Sequence, residues 1–401
     1  MTAGYQHTCA VTTTNLSYCW GLNTSGQLGD GGTTNRLTPQ AISVGVALAY
    51  VGAGYRHSCG LSTAGSAYCW GDNVYGQLGD GGTTPHLTPA PISGSLVFTH
   101  LSVGDDHNCG RTGTSQIYCW GYGGNGQLGI NSTSNASFPT VISGAVSFAS
   151  VAVGGAISCA LNTGGAGYCW GDNSGGGIGN GTAGGSVLIP TPLAGSLTFA
   201  SINPGYDFSC GRTTANAAYC WGWNNLGQLG LGNTTNTSSP TVVPGAVTWG
   251  GISASRGANT CGFNSSGVGF CWGSNFTGQI GDGTFTDRSS PTLINTSLAF
   301  AGIAMGDAHT CGFTNAGGSG YCWGNNESGQ LGNGTRTVRT APVQVLSGPA
   351  TAPPIMVQLT GMEVFAPEPP PVPRHRAPGA SPAAASSSMP TASRKSREGE
   401  R

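Results

Sequence analysis

Short apolar segments alternate with polar, glycine-rich segments along most of the chain, and the alternation repeats about every fifty residues. A membrane-spanning helix needs about 18 consecutive apolar residues, and no run reaches that length. Brief apolar runs bounded by Gly, Ser, Thr and Asn are typical of short β-strands joined by turns. The pattern therefore predicts an all-β protein built from many short strands.

The second repeat shows how one unit is organised. It contains four short apolar runs, and each gap between them is rich in turn-forming residues. The predicted elements are strand one at Leu48–Ala53, a turn at Gly54–Arg56, strand two at His57–Leu61, a hairpin loop at Ser62–Ser66, strand three at Ala67–Gly71 and a fourth strand near Pro89–Ile92.

A tripeptide, Cys-Trp-Gly, marks every repeat. It follows Tyr or Phe and generally precedes Gly-Gln-Leu-Gly or a close variant. Its cysteines are Cys19, Cys69, Cys119, Cys169, Cys220, Cys271 and Cys322, spaced by 50 or 51 residues. One four-stranded unit cannot bury both faces of its sheet, whereas seven in a ring can. The repeat therefore predicts a seven-bladed β-propeller.

Composition supports this fold and limits the partners. Glycine accounts for 71 of 401 residues and charged residues for only 7%. Glycine disfavours long helices. Up to Gly348 the chain has eight Arg against ten Asp and one Glu, so we expect no basic face for nucleic acid and no insertion into a membrane.

The repeat resembles the regulator-of-chromosome-condensation repeat family. The resemblance rests on Ala53-Gly54 followed by His57-Ser58-Cys59, then Tyr68-Cys69-Trp70-Gly71, then Gly76-Gln77-Leu78-Gly79. It extends from residue 4 to about residue 348 and implies the seven-bladed fold. The cysteine-rich, lysine-poor version is most similar to bacterial secreted or surface members.

The sequence predicts a propeller over residues 1–360 and a disordered Pro/Ala/Ser-rich tail over residues 361–401. Because the chain starts at the equivalent of Ala53-Gly54, the first unit is expected to lack its own strand one. We expect residues 349–360, with Ile355–Leu359 as the strand, to close the ring; a Pro-rich linker is the alternative. The abrupt start also suggests a longer natural N-terminus that carries any signal peptide.

Each repeat contains two cysteines, on the predicted strands two and three. Directly opposed residues of a hairpin are close enough for a disulfide. The predicted pairs are Cys9–Cys19, Cys59–Cys69, Cys109–Cys119, Cys159–Cys169, Cys210–Cys220, Cys261–Cys271 and Cys311–Cys322. Free thiols and a zinc site using the nearby histidines remain alternatives. Disulfides would indicate an oxidising location that is extracellular, periplasmic or at the cell surface.

No catalytic constellation is visible, so we predict neither an enzyme nor a bound cofactor or metal. The repeated histidines His7, His57, His107 and His309 are expected to connect blades through hydrogen bonds. Asp30-Gly31, Asp80-Gly81 and Asp282-Gly283 could suggest calcium loops, but Asx-Gly is also ordinary turn chemistry.

Antiparallel strands place the one-to-two turn and the three-to-four loop at the same end of each blade. Residues there vary among repeats while the framework recurs, and Tyr and Trp are common anchors of protein interfaces. The candidate binding residues are Tyr5, Tyr55, Arg56, Tyr75, Asp105, Asp106, Tyr122, Tyr206, Trp223 and Phe276.

These observations predict a monomeric, non-catalytic interaction propeller, secreted or at the cell surface, that binds an unknown protein through one loop face. Two alternatives remain. The family resemblance implies guanine-nucleotide exchange on a Ran-like small GTPase as one possibility, although the paired cysteines and low charge disfavour it. A glycan-binding propeller is the other, since aromatic platforms also suit sugars.

Overall fold

Seven four-stranded antiparallel sheets follow one another along the chain and form the blades of a β-propeller, as predicted. A computed structural model describes residues 1–43, 45–314 and 318–346. Within these residues all regular secondary structure consists of strands, so no helix there could cross a membrane. Each sheet has its strands in chain order, from the first to the fourth.

The strands occupy equivalent positions in the seven blades. The first strands are β1 (Thr2–Ala3), β5 (Leu48–Ala53), β9 (Phe98–Val103), β13 (Phe148–Val153), β17 (Phe199–Pro204), β21 (Trp249–Ala254) and β25 (Phe300–Met305). The second strands are β2 (His7–Val11), β6 (His57–Ser62), β10 (His107–Thr112), β14 (Ile157–Asn162), β18 (Phe208–Thr213), β22 (Asn259–Asn264) and β26 (His309–Thr314). The third strands are β3 (Ser17–Gly21), β7 (Ala67–Gly71), β11 (Ile117–Gly121), β15 (Gly167–Asp172), β19 (Ala218–Gly222), β23 (Gly269–Gly273) and β27 (Gly320–Gly324). The fourth strands are β4 (Arg36–Ala41), β8 (His86–Pro91), β12 (Ala136–Val141), β16 (Ser186–Pro192), β20 (Thr237–Val242), β24 (Arg288–Leu293) and β28 (Arg339–Gln344).

The second blade tests the strand prediction residue by residue. β5 and β7 have the predicted bounds, and β6 ends one residue later than predicted. β8 begins three residues earlier, because His86 pairs with Gly71 before the register shifts. Pro89 lies within that shift on an outer strand, where a missing N–H costs no ladder hydrogen bond.

The hydrophobic core lies between neighbouring blades. One core cluster contains Cys9, Cys19 and Leu28 of the first blade together with Trp70 of the second. The corresponding cluster between the last and first blades contains Trp20 and Leu331. The seven tryptophans of the Cys-Trp-Gly units are fully buried, so they are core residues.

A main-chain carbonyl connects each blade to the next. The carbonyl of Gln27 accepts a hydrogen bond from the Trp70 indole N–H at 2.9 Å and another from the Ser58 hydroxyl at 2.8 Å. The pattern occurs at all seven junctions, with Gly177 in place of glutamine in the fourth blade. Identical contacts at every junction give the ring its regular geometry.

The junction between the seventh and first blades uses the same contacts. Trp20 and Thr8 both donate to the carbonyl of Gln330. The expectation that the first blade lacks its own strand one is wrong, because β1 pairs with β2 through Thr2 and Ala3. The predicted closing strand, Ile355–Leu359, and the predicted tail, 361–401, lie outside the described residues.

The repeated histidines join adjacent blades, as predicted. His7 Nε2 lies 2.9 Å from the Ser58 hydroxyl, whose proton goes to the Gln27 carbonyl, so the imidazole is the donor. His57, His107 and His309 make the corresponding bonds to the next blade. Burial lowers the pKa of His7 to about 3 and that of His57 to about 4, which keeps both rings neutral.

All seven predicted disulfides are present within their blades. Each joins directly opposed residues of the second and third strands, with the two Cα atoms 4.1 Å apart. Both alternatives, free thiols and a zinc site built on these cysteines, are therefore wrong. Seven disulfides fit an oxidising environment.

In two of the Asp-Gly turns considered as calcium loops, the aspartate forms an ion pair with an arginine. Asp30 contacts Arg36 at 2.7 Å, and Asp282 contacts Arg288 at 2.7 Å. His86 lies 2.8 Å from Asp80 in the corresponding turn. These carboxylates therefore stabilise the conformation of the long loop that precedes the fourth strand.

Replacing Trp120 with alanine should lower the free energy of unfolding by about 3–5 kcal/mol, because it removes a buried aromatic side chain and leaves the Gln77 carbonyl with one donor fewer. Phe285→Ala is the matched control, since Phe285 is 59% exposed. Equilibrium denaturant unfolding measures both. Equal losses in the two variants would show that Trp120 is not a core residue.

The double variant Cys59→Ala/Cys69→Ala should lose about 3 kcal/mol of stability, the chain-entropy cost of opening a loop of roughly eleven residues. Unfolding of the variant and the parent protein under non-reducing conditions measures the difference. An unchanged transition would mean that the disulfide does not constrain the unfolded chain.

Candidate binding face

The first-to-second turns and the third-to-fourth loops meet at one end of the ring because adjacent strands are antiparallel. We call this end the turn face. Its innermost residues are linked around the ring: the Tyr55 N–H donates to the Asp105 carbonyl, and the Asp105 N–H to the Gly154 carbonyl. The innermost position in the seven turns holds Tyr5, Tyr55, Asp105, Gly155, Tyr206, Arg256 and Asp307.

The predicted aromatic residues form separate groups on the turn face. Tyr5 and Tyr55 have ring centroids 4.2 Å apart, and the Arg56 guanidinium lies 5.6 Å from the Tyr55 ring. Tyr75 and Tyr122 form a second pair, 4.8 Å apart, across the second and third blades. These contacts hold each ring at the surface in a fixed position.

Tyr206 and Trp223 of the fifth blade form a third group, and both rings lie over the fourth blade. A Cβ atom at Gly155 would lie 2.3 Å from Tyr206 Cδ2, and one at Gly175 would lie 1.4 Å from Trp223 Cδ1. The two rings therefore occupy space that only glycine leaves free. Phe276, also predicted, is 67% exposed on the sixth blade.

The sequence prediction missed Arg256, which lies at the innermost turn position of the sixth blade. Its side chain crosses the mouth of the axial channel to the third blade: Nη2 donates to the Val103 carbonyl at 2.7 Å, and Nε lies 2.9 Å from Asp105 Oδ1. Arg256 also lines the channel, whose volume is about 160 Å³. An alignment of the seven turns could have flagged Arg256, but only the structure shows its cross-ring contact.

The sixth-blade turn is one residue longer than the others, which allows Arg256 to reach the axis. Gly257 is needed there, because a Cβ atom would lie 1.6 Å from the carbonyl oxygen of Asp307. The Ser255 hydroxyl accepts hydrogen bonds from the N–H groups of Gly257 and Asn259 and fixes the turn.

Carboxylates surround Arg256. Burial raises the pKa of Asp106 to about 6, and Asp105 and Asp72 add to the shift. Burial likewise raises the pKa of Asp307 to about 6, with a contribution from Asp105. Asp307 was also missed by the sequence prediction. These groups repel one another, so the turn face carries an uncompensated negative charge.

A pocket of about 290 Å³ lies between the fifth and sixth blades on the turn face. Its walls include Tyr206, Asp207, Trp223, Leu226 and Arg256. Sequence reasoning selected Tyr206 and Trp223 but gave no sign that Asp207 and Leu226 adjoin them. The pocket combines apolar walls with a carboxylate, which suits a ligand that has both an apolar and a polar part.

Comparison with known proteins places this geometry in a family. A family model described as the Regulator of chromosome condensation (RCC1) repeat matches residues 17–61, 64–110, 115–161, 216–263, 266–312 and 318–359. The chain belongs to the RCC1 repeat family. A second model of the same description matches 1–27, 49–77, 98–127 and 199–228.

Curated relatives of this RCC1-repeat chain are matched only in part. "Probable E3 ubiquitin-protein ligase HERC4" of Mus musculus is 33% identical over 35% of this chain, which spans 14% of that protein. The ultraviolet-B receptor UVR8 of Arabidopsis thaliana is 35% identical over 32% of this chain and 30% of its own length. The match thus concerns the repeats and not the remainder of those proteins.

Solved structures share the RCC1-repeat propeller. Prp20p of Saccharomyces cerevisiae superposes with a TM-score of 0.74 at 19% identity, covering 84% of this chain and 87% of that chain. Human WBSCR16 superposes with a TM-score of 0.72 at 22% identity, covering 79% and 86%. At these identities the likeness establishes the fold alone.

Arg256→Leu should lower the free energy of unfolding by about 3 kcal/mol at pH 8, because it leaves the Asp105 carboxylate buried without its cation. Burial already raises the pKa of Asp105, and Arg256 opposes that rise. Without Arg256 the pKa rises further, so the carboxyl binds a proton more readily as the pH falls and the loss should be smaller at pH 5 than at pH 8.

The double variant Arg256→Leu/Asp105→Asn provides the control for this prediction. Removing both charges should recover most of the loss, and the stability difference from the parent should change less with pH than that of Arg256→Leu. Thermal and denaturant unfolding at pH 5 and pH 8 measure the three proteins. A loss at Arg256→Leu that stays constant with pH would contradict the ion-pair explanation.

Proposed function

We propose that this chain is a non-catalytic interaction propeller that binds a protein partner through the turn face in an oxidising location, secreted or at the cell surface. The observation that carries the proposal is the set of aromatic residues held at the turn face by contacts between blades, such as Tyr75 against Tyr122. Rings fixed in advance lose little conformational entropy when a partner binds, which is what interface anchors require.

The contrast between framework and turn face supports this proposal. Framework positions recur in every blade because each one serves the same junction. Turn-face positions are free of that constraint, and they hold Tyr, Asp, Gly or Arg at one equivalent site. Variation at these turn-face positions beside a recurring framework is consistent with selection for a particular partner.

The non-catalytic part of the proposal is supported by how the histidines are used. His7, His57, His107 and His309 are buried and engaged in bonds between blades, and their lowered pKa values make them poor proton carriers near neutral pH. The seven disulfides support the location, since such bonds persist in oxidising compartments.

Protein partners are also in keeping with what is recorded for similar propellers. The structure of yeast Prp20p was described together with its binding to Gsp1p and histones, and yeast RCC1 (Prp20) was also solved with Kap60 bound. Because those similarities establish only the fold, they favour a protein ligand in general and do not identify this partner.

The test is affinity capture with the disulfide-intact chain from extracellular and cell-envelope fractions of its source. Tyr122→Ala/Trp223→Ala should weaken binding of the captured protein by about 3 kcal/mol, because both rings are expected to be anchors. Phe138→Ala is the matched control, since Phe138 is a 55% exposed aromatic on the fourth strand of its blade. Its binding should match that of the parent protein.

Calorimetry on the purified pair measures the affinities, and thermal unfolding verifies that each variant is folded. Equal binding by Tyr122→Ala/Trp223→Ala and the parent would remove the turn face from the proposal. Accelerated nucleotide release from a Ran-like GTPase, or tight binding to a glycan array, would replace it with one of the two alternatives.

A further inference from the structure

The pocket between the fifth and sixth blades has two aromatic walls whose positions are fixed by the fourth blade. Tyr206 and Trp223 lie directly over the backbone of Gly155 and Gly175, and no side chain larger than glycine fits beneath them. Tyr206 is nevertheless 48% exposed. The rings are therefore held in place on one side and remain available to a ligand on the other.

The charges around this pocket are mostly negative. The first-to-second turns and the residues at or just after the ends of the third strands contain seven carboxylates, Asp72, Asp105, Asp106, Asp172, Asp207, Asp307 and Glu327, against the guanidinium groups of Arg56 and Arg256. Arg256 is already engaged by Asp105 and the Val103 carbonyl, and Arg56 lies against the Tyr55 ring. Two guanidinium groups cannot balance seven carboxylates, and one of the two is already paired with Asp105.

Asp207 is the carboxylate that lines the pocket itself. Among the described residues its side chain has no ion pair and no side-chain hydrogen bond, and the like charge of Asp172 adds to the effect of burial on its pKa. Burial, with Asp172, raises the pKa of Asp207 to about 6, so the group is still ionised at pH 7.5. A cation between the two rings would relieve this repulsion.

We propose that this pocket receives a lysine or arginine side chain of the protein partner, with the cation against the faces of Tyr206 and Trp223 and paired with Asp207. Cations bind favourably over aromatic faces, and the alkyl stem of Lys or Arg suits the apolar wall at Leu226. Arg256 also lines the pocket, but its pairing with Asp105 offsets its charge. This inference rests on the proposed function and specifies the partner's chemistry as basic.

The test uses fluorescein-labelled hexalysine, hexaarginine and hexaglutamate with the disulfide-intact chain, read by fluorescence polarisation at pH 7.5. The two basic peptides should bind and hexaglutamate should not. Asp207→Asn should weaken hexalysine binding about fivefold, as expected for loss of one exposed ion pair. Trp223→Ala should weaken it about tenfold, as expected for loss of a cation–π contact.

Three further variants separate pocket binding from general acidity. Glu327→Gln removes one carboxylate from the same face outside the pocket and should change hexalysine affinity less than twofold. Tyr206→Phe keeps the ring and should bind like the parent. Gly175→Ala removes no pocket side chain but displaces the Trp223 ring, so it should weaken binding about as much as Trp223→Ala.

Thermal unfolding first verifies that each variant is folded. Hexalysine binding that falls equally in Glu327→Gln and Asp207→Asn would overturn the pocket assignment in favour of diffuse electrostatics. Failure of both basic peptides to bind would overturn the inference, as would preferred binding of a neutral oligosaccharide. Either failure leaves the proposed function standing if capture of the partner still depends on Tyr122 and Trp223.

Discussion

One main-chain carbonyl at each blade junction holds this propeller together. It accepts the indole N–H of the next blade's tryptophan and a side-chain donor beside it, so that two buried donors of one blade are satisfied by the preceding one. The Gly-Gln-Leu-Gly motif builds this acceptor. Gln27 presents the carbonyl, Leu28 fills the core, and Gly29 has a positive φ of 68° against the Trp70 ring. A side chain at Gly29 would both strain the backbone and displace the indole.

This arrangement explains how a chain with so few charged residues can form a stable ring. The junctions rely on neutral donors and acceptors, such as the chain from His7 through Ser58 to the Gln27 carbonyl. Buried neutral hydrogen bonds avoid the desolvation cost that buried ion pairs carry. Disulfides then fix the second and third strands of each blade, the strands that supply the donors. Charged side chains lie instead in the long loops and on the turn face, where they serve other purposes.

The fold could be predicted from the sequence because the contacts that define it recur seven times. Repeated positions hold the Cys pairs, the Trp-Gly units and the histidines. A residue type that recurs at one position makes the same contact in each blade where it occurs. One departure, the short β1, is local to the first blade. The early start of β8 at His86 recurs in the other blades, where the last glycine of the third strand also pairs ahead of a register shift. The cross-ring contact of Arg256 with Asp105 joins the sixth blade to the third, so no repeat signal could reveal it. The prediction placed the candidate residues at one end of the ring but could not show which of them contact one another.

The fourth blade shows what the turn face requires of the framework. It has Ile157 where four other blades have histidine and Gly177 where the other six have glutamine, and a Cβ atom at 177 would lie 2.4 Å from Ile157 Cδ1. The two replacements are therefore coupled, and the backbone carbonyl of Gly177 still accepts both donors of the fifth blade. Because the junction depends on a main-chain atom, the side chains around it can be reduced to glycine without loss of the ring. Gly155 and Gly175 belong to the same blade and admit Tyr206 and Trp223. Because the junction uses a backbone atom, the fourth blade can contain these glycines and still join its neighbour. Its glycines can therefore support the aromatic rings of the site.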